Sequence, residues 1–69
     1  MINAKFKATN ICYYTPEGEF VDGGDIEDRV VKIEGGYVHC ESGIKIRKTH
    51  FDICVRYYAI RIDYSKHNI

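Results

Sequence analysis

The chain has 69 residues, and its ten basic and ten acidic side chains give a formal net charge of zero. A chain of this size buries only about 60% of its unfolded surface, which leaves little room for an enclosed catalytic pocket. The charge balance lacks the strong basic footprint of a dedicated nucleic-acid binder, and no stretch reaches the roughly 20 apolar residues that cross a bilayer.

Leucine is absent; ten Ile and five Val are joined by six Tyr and three Phe. These types suit a pleated, half-buried sheet better than a helix. The expected fold is one all-β domain over residues 1–69, β-dominated α+β if one helical turn forms. Its sheet is twisted, antiparallel, of five or six strands, and curls toward a partly open barrel.

In chain order, Ile2, Ala4, Phe6, Ala8, Cys12 and Tyr14 share one parity, opposed by Asn3, Lys5, Lys7 and Thr9. That period of two predicts a long half-buried strand. Thr15-Pro16-Glu17-Gly18 reads as a turn with Pro16 second. A short return strand follows at residues 19–21, broken by Gly23-Gly24. Asp25 to Asp28 fits either a single helical turn or a loop.

Gly35-Gly36 is a two-residue hairpin signal. Its register pairs Ile33 with Val38 and Val31 with Cys40. A three-residue loop at Glu41-Ser42-Gly43 then sets Cys40 opposite Ile44 and Val38 opposite Ile46, with Gly43 left-handed. The predicted inner face is Val31, Ile33, Val38, Cys40, Ile44 and Ile46. The outer face carries Lys32, Tyr37, His39, Lys45 and Arg47. Residues 53–64 read as a last strand whose parity flips at Tyr57-Tyr58, predicting a β-bulge or bend there.

Four constellations bear on function. Cys12, His39, Cys40, His50 and Cys54 include metal-ligand types, but zinc takes four such ligands. His50 and Cys54 on a strand lie roughly 13 Å apart, and could share a metal only if residues 49–55 turn helically. No C-x-x-C occurs, so no metal and no cofactor are expected, and Cys12 and Cys40 read as small buried apolar residues with the histidines at the surface. The odd cysteine count suits reduced thiols and a cytoplasmic setting. Without a complete catalytic motif or an evident pocket, no enzymatic activity is expected.

The leading expectation is a protein–protein interaction module. Residues 17–34 hold seven acids and two bases, whereas residues 44–66 hold six bases and two acids. Phe20, Asp22, Asp25, Ile26, Glu27 and Asp28 then form the partner-binding set, presenting carboxylates and two apolar anchors to the basic groove of a larger protein. A phage-type inhibitor of a nucleic-acid-handling protein fits that description, and Ile, Lys, Tyr and Asn richness is compatible with an AT-rich source. The bland alternative is a solvated loop facing the protein's own bases. The runner-up is single-stranded nucleic-acid binding through Lys32, Tyr37, His39, Lys45 and Arg47, where rings stack on bases and cations neutralise phosphates. A solvated face with ordinary surface tyrosines is its bland counterpart. A homodimer through unpaired edge strands is compatible with either function.

Overall fold

The computed structural model describes residues 2–63. Five strands and one helix follow in order: β1 (Lys5–Tyr14), β2 (Phe20–Glu34), β3 (Tyr37–Cys40), β4 (Lys45–Arg47), α1 (Lys48–Arg56) and β5 (Ile60–Asp63). The strands form one antiparallel sheet in the order β2-β3-β4-β1-β5, and β2 also pairs with β1. Pairing therefore runs from β2 through β3, β4 and β1 back to β2, and the sheet curls as expected. No helix among the described residues is long and apolar enough to cross a membrane.

Both turns at the core of the sequence reading form. Gly35 and Gly36 adopt φ of 63° and 80°, which only glycine takes readily and which a tight type I′-like hairpin requires. Across β3 and β4, Val38 pairs with Ile46, and the Cys40 N–H donates to the Ile44 carbonyl at 3.0 Å. The loop closes through the Gly43 N–H on the Cys40 carbonyl, with Gly43 left-handed at 97°. The first turn closes from Gly18 N–H to the Thr15 carbonyl at 2.9 Å.

β2 is where expectation and structure part. It runs unbroken through Gly23-Gly24 and through residues 25–28, which form neither a helical turn nor a loop; Ile26, Glu27 and Asp28 pair with β1. Successive bulges make its length compatible with the curl. Asn10 at φ 56° adds one residue to β1, and Gly23 at φ 86° then adds one to β2. A side chain on Gly23 would lie 2.8 Å from Asn10 Oδ1, so the two bulges interlock. Asp25 Oδ1 accepts the freed Asn10 N–H at 2.8 Å. The bulge reverses parity along β1. Ile11 is fully buried and Tyr13 packs on the core, whereas Tyr14, expected inside, turns outward.

A third bulge leaves Val31 without a partner, because Val30 pairs with Cys40 and Lys32 with His39. Val30 takes the inward place predicted for Val31, which is 40% exposed. Ile33 keeps its predicted partner Val38 but sits at the hairpin's end, 41% exposed.

The strand expected over residues 53–64 is also divided: residues 48–56 form α1, and only Ile60–Asp63 pair as a strand among the described residues. Ile53, Val55 and Tyr57 alternate like a strand, but Phe51, Cys54 and Val55 also share one helical stripe, and the core takes that stripe. Phe51 meets Phe6 edge-on at 5.6 Å, inside a core that includes Ala8, Ile11, Val30, Val38, Ile46 and Ile60. The parity break at Tyr57-Tyr58 is the helix end. Tyr58 is left-handed at φ 66°, its N–H donates to the Val55 carbonyl, and the Ala59 N–H donates to the Cys54 carbonyl. These paired bonds are a Schellman C-terminus with Tyr58 where glycine is usual.

Candidate nucleic-acid interface

Cross-strand partners in a sheet point to the same face. Phe20 pairs with Tyr14, Tyr14 with Lys45, Lys45 with His39, and His39 with Lys32. One outward row thus passes over β2, β1, β4, β3 and β2 again. A parallel row, two residues along, joins Arg47 to Tyr37 and Tyr37 to Glu34. The residues between the rows, Val38 and Ile46, are fully buried and hold both rows outward.

The rings form a connected series. Phe20 and Tyr14 centroids lie 5.2 Å apart, Tyr14 and Tyr37 6.0 Å, and Tyr37 and His39 6.5 Å. Cations overlie them. Lys45 Nζ is 4.5 Å from the Tyr37 centroid and 6.0 Å from that of Tyr14, and Arg47 Cζ is 5.8 Å from Tyr37. Phe20 is 56% exposed despite its size. His39 Nε2 donates to the Glu34 carbonyl at 3.1 Å, which fixes the imidazole. Lys32 pairs with Glu34 at 2.9 Å, and its hydrogen bond and charge hold that carboxyl below its ordinary range.

All five residues predicted for the outer face therefore share one patch, and two further rings join it. The period of two places Tyr14 inward, and the Asn10 bulge reverses it; an Asn, unusually tolerant of left-handed backbone, is the local signal for that bulge. Phe20, expected as an apolar anchor among the acids, joins this patch beside Tyr14.

The acidic segment lies differently. Ile26 packs partly buried against the core, and Phe20 belongs to the aromatic patch. Asp22 accepts the Cys12 thiol at 3.1 Å, and Asp25 accepts the Asn10 N–H. Asp28 accepts the Arg29 N–H at 2.7 Å and both the N–H and hydroxyl of Ser42. Glu27 is exposed opposite Lys7.

The helix does bring His50 and Cys54 together. Cys54 Sγ lies 3.4 Å from His50 Nε2, which also accepts the Cys12 N–H at 3.1 Å. Among the described residues, no three His, Cys, Asp or Glu are arranged to hold a metal. The Asp22 carboxylate raises the Cys12 pKa, and burial raises that of Cys54. Burial pushes the Cys40 thiol up to about 12. All three stay protonated near neutrality and make poor nucleophiles or ligands.

No family model, curated protein or solved structure matches the chain.

Proposed function

We propose that this protein binds single-stranded nucleic acid across the outer face of β1, β2, β3 and β4. The observation that carries this reading is the continuous series Phe20, Tyr14, Tyr37 and His39, with Lys45 and Arg47 set over its centre. Bases stack on such rings irrespective of sequence, and neighbouring cations neutralise the phosphates. Arg47 and Lys45 contact Tyr37 already, so the platform is held in place before ligand arrives. An acidic docking surface at residues 20–28 draws weaker support, because Asp22, Asp25 and Asp28 bond within the chain and Ile26 faces the core.

With a net charge of zero, attraction is local. Lys45 and Arg47, with Lys32 held by Glu34, imply a log–log salt slope of about −1.4 on a single strand, reaching about −2 once Lys32 is freed. Fluorescence anisotropy with labelled oligonucleotides tests the proposal. Replacing Tyr37 with Ala should cost about 1–3 kcal/mol of binding, and Phe20→Ala a similar amount. Full affinity in both variants, or no binding by the wild type at low salt, refutes it.

A further inference from the structure

β5 ends the sheet, and its edge away from β1 has no strand partner among the described residues. Its outward side chains sit in two charged rows. Glu27, Lys7 and Arg61 form one; Arg29, Lys5 and Asp63 form the other. Arg61 thus stands directly opposite a like charge, Lys7, an arrangement that costs stability in a sheet. On the inner side, Ile60 is buried and Ile62 packs on the core. A groove of about 270 Å³, lined by Val55, Tyr58, Ile60, Arg61 and Ile62, runs beside this edge.

We propose that β5 pairs antiparallel with β5 of a second copy, about a two-fold axis through Ile62. This register is selected by charge and pleat. It places Arg61 opposite the partner's Asp63, Asp63 opposite the partner's Arg61, and Ile62 against the partner's Ile62. Both charged pairs lie on the outward face and the isoleucines on the core side. Centring on Arg61 or on Asp63 would set like charges together, and a half-step shift would set charge against apolar side chains. Asp63 also faces Lys5 within its own chain, and a carboxylate accepts from both. The partner's Asp63 offsets the Arg61–Lys7 repulsion. Such edge addition draws affinity from main-chain hydrogen bonds, and the contact is isologous and closed. Arg61, Ile62 and Asp63 are the described residues that pair in this register, a small interface, so dimerisation is concentration-dependent.

The test is sedimentation equilibrium on the full chain with Arg61→Glu and Asp63→Arg, each checked for native circular dichroism. The wild type should dimerise as concentration rises. Each single variant sets like charges across the axis, and its dissociation constant should rise at least tenfold. An equimolar mixture of the two variants restores both opposite pairs and should dimerise, as should the double variant R61E/D63R. A wild type that stays monomeric at every concentration overturns the proposal. So do single variants that associate like the wild type, or a mixture and a double variant that both remain monomeric.

Discussion

Tyr58 offers a quantitative test of the helix end, which links the core to the β5 edge. It is left-handed at φ 66° and 77% exposed. Tyr58→Gly and Tyr58→Ala both remove the same ring, so the modest packing lost is common to both variants. Their difference isolates the backbone. In an exposed helix interior Ala is more stable than Gly by about 0.8–1 kcal/mol. At a left-handed position the order inverts, because a Cβ there costs roughly 1–2 kcal/mol, partly offset by the greater unfolded-state entropy of Gly, about 0.4–1 kcal/mol. The Gly variant should therefore exceed the Ala variant by about 1 kcal/mol. With a urea slope near 1 kcal/mol/M for a chain this small, that separates the unfolding midpoints by about 1 M. Urea titrations followed by circular dichroism at low protein concentration, where association is negligible, read the difference. An Ala variant as stable as the Gly variant, or more so, refutes the left-handed terminus and with it the paired bonds to Cys54 and Val55.

Two further outcomes follow from the structure. Cys40 keeps its proton up to about pH 12, whereas an ordinary thiol loses it near 9. Between those values the unfolded chain binds fewer protons than the folded one, so stability falls as pH rises through that window. Cys40→Ala should be less stable at pH 7 but show a shallower loss between pH 9 and 11 in parallel denaturation series; an equal slope would contradict the buried thiol. Glu34→Gln releases Lys32 from its ion pair, so oligonucleotide affinity should rise several-fold and the salt slope steepen by about 0.7. Anisotropy titrations at two or more ionic strengths decide this, and unchanged binding would place Lys32 outside the contact.

Much of this protein was determined locally. The absence of leucine, the alternation of Lys5, Phe6, Lys7 and Ala8, and the turn chemistry of Gly35-Gly36 and Gly43 specify antiparallel strands and their register. These signals involve neighbours a few residues apart, so they survive in the sequence as pattern. The outward set Lys32, Tyr37, His39, Lys45 and Arg47 follows from the same local register. Tertiary structure decided the rest. Residues 48–56 satisfy both a strand and a helical apolar pattern, and only the space beside Phe6 selects the helix that delivers Phe51 and Cys54. The bulges at Asn10, Gly23 and Val31 let β2 serve two partners at once. Their positions follow from closing the curl, since each local stretch alone is compatible with continuous pairing. That closure turns Tyr14 outward beside Phe20 and carries both to Tyr37, a neighbourhood built from residues up to 23 positions apart that no period of two can announce.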